Sequence, residues 1–156
     1  MADQLVTFQE RPSARHLIAG WRRQWSDGGE ISSGLPRYLI DKLSARRIGE
    51  MTEYVSLTCY PFQVAGTHDA FRPRVSFQDG LPTVDMHRDN VFYDAGDGLI
   101  LFLGEEPWQR IDIYGQAFFE AIKELGVART ASVEGYNGPS PPEMERNVNC
   151  VYSKAE

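Results

Sequence analysis

Two adjacent carboxylates stand directly after the most apolar segment of this 156-residue chain. Glu105 and Glu106 follow Gly104 and the continuously apolar residues 99–103. Strands that are buried on both faces of a parallel sheet have this composition, and ligands of open α/β sheets bind at the carboxyl ends of such strands. Carboxylates at this position can ligate a metal ion, act as an acid–base pair, or stabilise the first turn of a following helix.

Neighbouring residues along a chain point in different directions. We therefore expect one of these two glutamates to face inward and the other to face solvent. For this pair we place a structural or interface role first, ligand binding second and catalysis third.

Asp27, Gly28 and Gly29 form a second candidate site, at the start of a predicted helix. Glycines at a helix N-terminus let backbone N–H groups approach an anion. Neither a Walker lysine pattern nor a GxGxxG run accompanies them, and a tight turn is the preferred interpretation. Trp21 lies just before this loop. An exposed tryptophan there would anchor an interface, and packing in the core explains it equally well.

Other chemistries find little support in the sequence. The net charge of −6 argues against an electrostatically driven nucleic-acid binder. The two cysteines, Cys59 and Cys150, have no CxxC spacing, and no HExxH motif occurs, so we expect no metal and no cofactor. No catalytic residue can be assigned.

The absence of a signal segment and of a long apolar run predicts a cytoplasmic protein that does not enter a membrane.

The Asp27 loop requires a strand before it and a helix after it. Residues 16–21 predict a short buried strand. Apolar residues then recur every fourth position, which predicts a helix: Ile31, Leu35, Leu39 and Leu43. Either Ser33 caps a helix that starts near Gly34, or a longer helix is kinked at Pro36. The β-branched and aromatic content of residues 53–58 predicts the next strand.

The segment of Glu105 and Glu106 leads into the clearest helix of the chain. Pro107 is expected to open this helix and Gly126 to close it, before a strand over residues 127–133. Residues 99–133 therefore predict a β-α-β unit. Between the two units, Asp79-Gly80 predicts the turn of a β-hairpin.

These elements predict an α/β protein: a three-layer α/β/α sandwich with a mostly parallel sheet and an inserted β-hairpin. We assign residues 1–15 to an N-terminal edge segment and residues 16–156 to a single α/β domain. Residues 147–152 predict a last strand near the end of the chain.

Several short motifs, in this order, resemble the proteasome assembly chaperone 2 family. They are Gly20-Trp21, Asp27-Gly28, Arg72-Pro73, Asn90-Val91-Phe92-Tyr93, Leu103-Gly104-Glu105-Glu106-Pro107 and Lys123-Glu124-Leu125-Gly126-Val127. The resemblance covers residues 16–153 and implies a fold similar to the purine nucleoside phosphorylases. Family members usually continue well beyond the position of Tyr152, so the resemblance also implies that a C-terminal part is missing.

Two functions follow as expectations. The first is a non-catalytic assembly or binding protein that associates with itself, and that has a further protein-assembly partner. The second is a small-molecule or nucleotide-binding enzyme with its site at the carboxyl ends of the parallel strands. The ligand or interface candidates are the same for both: Trp21, Asp27, Gly28, Gly29, Gly104, Glu105 and Glu106.

Overall fold

The computed structural model of the protein describes residues 4–22, 27–60, 74–85, 88–135, 141, 143–145 and 148–153. The strands are β1 (Val6–Phe8), β2 (His16–Arg22), β3 (Arg46–Met51), β4 (Arg74–Gln78), β5 (Leu81–Asp85), β6 (Val91–Asp94), β7 (Leu99–Glu105) and β8 (Arg129–Ser132). The helices are α1 (Ile31–Lys42), α2 (Glu53–Cys59) and α3 (Ile111–Glu124), and a 3-10 turn at Gly28–Glu30 leads into α1.

Six strands form the central sheet, in the order β1-β3-β6-β7-β2-β8. β2 is parallel to both β7 and β8, while β1, β3, β6 and β7 pair antiparallel along the sheet. It follows that β2, β3, β7 and β8 run in one direction and that β1 and β6 run in the other. The predicted α/β class with a mostly parallel sheet is confirmed, and β1 lies at the sheet edge.

Helices cover both faces of this sheet. A Cβ atom at Gly20 of β2 would lie only 1.9 Å from the Ser32 carbonyl oxygen, so α1 packs closely on that face. The next residue, Trp21, faces the other way and packs against Phe102 and against Phe118 of α3. Because successive strand residues point to opposite faces, α1 and α3 lie on opposite sides of the sheet.

The core is centred on aromatic side chains from two strands and α3. Phe92 and Phe102 have ring centroids 4.7 Å apart, and Phe102 and Phe118 have theirs 5.1 Å apart. Tilted and edge-to-face arrangements of this kind are the favourable ones for aromatic pairs. The aliphatic side chains of Leu17 and Ile100 are almost fully buried beside them.

The strand predicted over residues 53–58 is wrong, because these residues form α2. Val55, Ser56 and Cys59 are its buried residues, which is the spacing of one helix side and not the alternation of a strand. The strand of this region is β3, which lies between α1 and α2. Local β propensity is a weak guide where packing decides the element.

Two helix starts also differ from the predictions. α3 begins at Ile111 and not at Pro107, because the amides of Trp108 and Gln109 donate to the Cys59 carbonyl and hold that segment outside the helix. α1 is the longer of the two predicted forms. It begins at Ile31 and contains Pro36, and Ser33 is not its N-cap.

The predicted hairpin is present as a separate two-stranded sheet of β4 and β5. Its turn residues Asp79 and Gly80 both have positive φ, as a type I′ turn requires. The strand predicted over residues 147–152 is not seen in the part that the structure describes, where residues 148–153 have no regular structure. No helix among the described residues has the length and apolar character needed to cross a membrane.

Candidate functional site

The two predicted loops lie at the same edge of the central sheet. β2 and β7 are parallel neighbours, with Trp21 opposite Gly104 and Arg22 opposite Glu105. Asp27 forms an isolated parallel bridge with Gly135, which follows β8 on the other side of β2. The structure therefore brings the predicted site residues together at the carboxyl ends of three adjacent strands.

Gly104 allows two polar side chains to approach the end of β7. A Cβ atom at this position would lie 2.7 Å from Asn90 Oδ1 and 2.7 Å from the Tyr114 hydroxyl. Real Cβ atoms essentially never come so close to these atoms, so a larger residue would displace both groups. The glycine of the Gly-Glu-Glu-Pro segment therefore allows Asn90 and Tyr114 to pack closely against the end of β7.

Asn90 is the centre of a buried hydrogen-bond network beside this glycine. Its Oδ1 atom accepts from the Glu105 backbone N–H at 2.9 Å and from the Tyr114 hydroxyl at 2.9 Å. The Tyr114 oxygen in turn accepts from the Trp21 indole Nε1 at 3.0 Å. Through its hydrogen bond to Tyr114, Trp21 connects the end of β2 to α3. Tyr114 and Asn90 extend this connection to the end of β7.

Tyr60 completes the network on the other side of Asn90. Its hydroxyl donates to the Glu105 carbonyl at 2.6 Å and accepts from Asn90 Nδ2 at 3.2 Å. Burial raises the pKa of both Tyr60 and Tyr114 above the usual range of tyrosine. Both hydroxyls therefore stay protonated at neutral pH, and their protons are used in hydrogen bonds within the protein.

Glu105 is the glutamate that faces inward. The Glu105 and Arg88 side chains are only 9% and 8% exposed, and their closest charged atoms, Oε2 and Nη1, are 4.0 Å apart. Glu105 Oε2 has no hydrogen-bond partner among the described residues. The Arg88 guanidinium also lies 5.9 Å from the centre of the Tyr60 ring. Glu105 thus takes part in a buried charge pair that packs against the same tyrosine.

Glu106 is half-buried and more accessible than its neighbour. Burial and, second, the negative charge of Glu134 raise the pKa of its carboxyl group. Glu134 lies just beyond β8, so the two carboxylates come from strands on either side of β2. The half-buried position and the raised pKa make Glu106 the strongest remaining candidate for contact with a ligand.

The Asp27 loop acts as a helix cap. Asp27 Oδ1 accepts from the Ser33 backbone N–H at 2.8 Å, and Oδ2 accepts from the Ser33 hydroxyl at 2.9 Å. The Gly28 N–H donates to the Gly135 carbonyl at 3.1 Å, so it is not available to an anion. Gly29 has a φ of 65° and provides the turn into α1. The arrangement is that of a tight turn that caps a helix.

One cavity among the described residues lies away from this site. An open cavity of about 550 Å³ is lined by residues including His16, Leu99 and Arg129, at the amino-terminal ends of β2, β7 and β8.

Within the described ranges, no three His, Cys, Asp or Glu side chains are arranged to hold a metal ion. Burial also raises the pKa of the Cys59 thiol to about 11, which leaves it protonated and a poor nucleophile.

A family model described as the PAC2 family matches residues 23–155. The chain belongs to the PAC2 family. This confirms the resemblance found in the sequence.

Solved structures with similar folds include another PAC2 family protein. A PAC2 family protein from Streptomyces avermitilis has 19% identity and a TM-score of 0.54, over 74% of this chain and 47% of its own. A protein of unknown function from Corynebacterium glutamicum has 16% identity and a TM-score of 0.55, over 82% of this chain and 48% of its own. Pyrococcus furiosus PbaA, an archaeal homolog of proteasome-assembly chaperone, has 16% identity and a TM-score of 0.47, over 80% and 46%. The PAC2 chain thus spans about half the length of these structures. No curated protein matches it.

Sequence reasoning missed the polar residues that join the predicted loops of this PAC2 protein. These residues belong to no catalytic motif: Asn90, Tyr60, Tyr114 and Arg88. The available signal is a polar asparagine directly before the apolar strand β6. Its partners lie 15 to 30 residues away along the chain, so no local pattern indicates them.

Proposed function

We propose that this PAC2 protein is a non-catalytic binding or assembly protein that associates with itself. The observation that carries the proposal is the use of the strand-end polar groups within the chain itself. Trp21, Tyr60, Asn90 and Tyr114 bond to one another, and Asp27 bonds to Ser33. Reactive groups of an enzyme must remain available to a substrate, whereas these groups rigidify the junction between the sheet and its helices.

The surface supports the same proposal. Ile111, Phe119 and Trp108 are large apolar side chains that are exposed on or next to α3, and Phe77 and Leu81 are exposed on the hairpin. Clusters of exposed apolar side chains are typical of protein–protein contact surfaces. Aromatic residues are also enriched among those that dominate binding energy.

Membership of the PAC2 family supports a role in protein assembly, as the sequence resemblance implies. In that role the chain would bind a second, different protein. The cytoplasmic location and the likeness to the purine nucleoside phosphorylase fold are parts of the same proposal. The chain spans about half the length of the two similar solved structures from Streptomyces avermitilis and Corynebacterium glutamicum. We therefore propose only a binding role for it, and no further activity of the longer proteins.

A ligand-binding enzyme is the alternative, and Glu106 is the observation that favours it. The half-buried carboxyl group with a raised pKa lies at the carboxyl end of β7, where α/β proteins bind ligands. Together with Glu134 and the Asp27 loop it would form the acidic rim of such a site.

Native mass spectrometry of untreated protein tests the two functions together. We expect masses at multiples of the chain mass, without a bound small molecule. A thermal-shift series with nucleosides, nucleotides and phosphate is the companion measurement, on the wild type and on Glu106→Gln. We expect no stabilisation. A stabilisation of the wild type that disappears in Glu106→Gln, while Glu120→Gln on the exposed side of α3 keeps it, would support the enzyme instead.

A further inference from the structure

One side of α3 carries apolar side chains that no part of the described chain covers. Ile111 is 74% exposed and Phe119 is 68% exposed, although both belong to a helix whose other side lies in the core. Gly115 lies midway between them. Residues four apart lie on the same side of a helix, so the three form one stripe along its surface.

Gly115 creates a hollow in this stripe. Apart from its two chain neighbours and the nearby backbone of α3, no described atom lies within 4 Å of the place where its Cβ atom would stand. Glycine inside a helix lowers helix stability, and here no close packing within the chain requires it. The hollow is therefore open to a side chain from outside.

The charges beside the stripe differ at its two ends. Asp112 stands at the N-terminal end of α3 and Lys123 at the C-terminal end, and both are exposed. They are about three helical turns apart and so lie on the same flank of the helix. The Asp112 carboxylate already accepts two hydrogen bonds from Arg110, at 2.9 and 3.0 Å, and it has lone pairs left for a second cation.

We propose that α3 packs antiparallel against α3 of a second copy of this chain, with the two helices crossing at the level of residue 117. Phe119 of each copy then lies over the hollow at Gly115 of the other. The same crossing places Asp112 of each copy opposite Lys123 of the other. Both pairings arise from one two-fold axis, which is the symmetry of most homodimers.

The charges select the antiparallel orientation. A parallel pair would place Asp112 against Asp112, Lys123 against Lys123 and Phe119 against Phe119, and would leave the hollow at Gly115 unfilled. The antiparallel pair joins opposite charges and opposes the two helix dipoles. The inference rests on the self-association that we proposed above and assigns it to one surface.

Sedimentation equilibrium over a range of concentrations tests this dimer with the 156-residue chain. The variants are Gly115→Leu, which fills the hollow, and Phe119→Ser, which removes the side chain that enters it. Each should raise the dimer dissociation constant at least tenfold. Leucine is a better helix former than glycine, so Gly115→Leu should keep or raise the thermal stability of the monomer. Its loss of dimer would then not reflect unfolding.

Gly34→Leu in α1 is the matched control, because a Cβ atom at that glycine would also have no described atom within 4 Å beyond its chain neighbours and the nearby backbone of α1. It should leave the dissociation constant unchanged. Lys123→Glu should weaken the dimer, and the swap Asp112→Lys with Lys123→Glu should restore it at least in part, since each new lysine then faces a new glutamate.

The outcomes separate this inference from the proposed function. A wild-type dimer that Gly115→Leu and Phe119→Ser leave intact would overturn the α3 interface while self-association stands. A wild type that remains monomeric at every concentration would overturn self-association and the interface with it.

Discussion

Asn90 Oδ1 lies 2.7 Å from the point at which a side chain on Gly104 would begin. The same oxygen accepts hydrogen bonds from the Glu105 N–H and from Tyr114. Because Gly104 has no side chain, Asn90 can come close enough to make these hydrogen bonds. The Gly-Glu-Glu-Pro segment is built around this relationship, with one glutamate buried beside Arg88 and the other at the surface.

Gly104→Ala should lower the free energy of unfolding by about 1–3 kcal/mol, because the added methyl group overpacks the site and displaces Asn90 or Tyr114. Urea denaturation measures the change. Gly34→Ala is the control, and it should stabilise the protein by up to about 1 kcal/mol through helix propensity alone. Equal effects of the two substitutions would contradict the close packing at Gly104.

Asn90→Leu should destabilise the protein more than Tyr114→Phe. The leucine leaves the Glu105 N–H and the Tyr114 O–H without their acceptor, at about 1–3 kcal/mol for each buried donor. Tyr114→Phe deprives only the Trp21 indole N–H of a partner and removes one donor to Asn90. Equilibrium denaturation of both variants, at matched protein concentration, gives the order. A smaller loss in Asn90→Leu would show that Asn90 is not the centre of the network.

Much of the fold follows from local pattern. The apolar run of β7, the glycine Gly126 after α3 and the Asp79-Gly80 turn each predict a feature that the structure has. The placement of both candidate loops at one sheet edge also follows, because the carboxyl ends of parallel strands meet there. These features depend on residues close together in sequence or on a general rule of parallel sheets.

The rest depends on contacts between distant parts of the chain. β3 has the polar sequence Arg-Arg-Ile-Gly-Glu-Met, and it is a strand because β1 and β6 pair with it on both sides. Residues 148–153 have more strand-like composition but no strand, and Val148 and Val151 are fully exposed there. The Asn90 network joins α2, β6, β7 and α3, so none of its members is recognisable in a short window of sequence.

Asp27→Ala should cost about 0.5–2 kcal/mol of stability, the usual value of a helix cap. The substitution leaves the Ser33 N–H and hydroxyl without the carboxylate that accepts from both. Glu30→Ala is a suitable control, since Glu30 makes no side-chain cap hydrogen bond at the start of α1. Thermal denaturation compares the two. An anion-binding role for this loop would instead appear as phosphate-dependent stabilisation of the wild type.

The two adjacent glutamates should respond differently to removal. Glu105→Ala takes away the carboxylate next to the buried Arg88 guanidinium, and we expect a loss of about 1–3 kcal/mol. Glu106→Ala removes a carboxyl group that burial disfavours in its charged form, so its stability at neutral pH should stay the same or rise. Guanidinium denaturation at pH 7 measures both. Equal losses would mean that the inward and outward assignments are wrong.

The pH dependence of stability provides the sharpest test of Glu106. Burial first, and the Glu134 charge second, raise its pKa in the folded state above the unfolded value. The folded protein therefore binds this proton more tightly than the unfolded chain does. The contribution of Glu106 to the free energy of unfolding must then fall as the pH rises from the ordinary carboxyl pKa, about 4.3, to the raised folded value. Above that value the contribution is constant.

Glu106→Gln removes this titration. The wild type should be less stable than Glu106→Gln at pH 7, and the difference should shrink as the pH is lowered through the same window. Glu134→Gln should weaken the effect without abolishing it, because burial is the larger cause. Denaturant midpoints of the three proteins at a series of pH values measure this. A difference between wild type and Glu106→Gln that does not change with pH would show that the Glu106 carboxyl group titrates as it does in the unfolded chain.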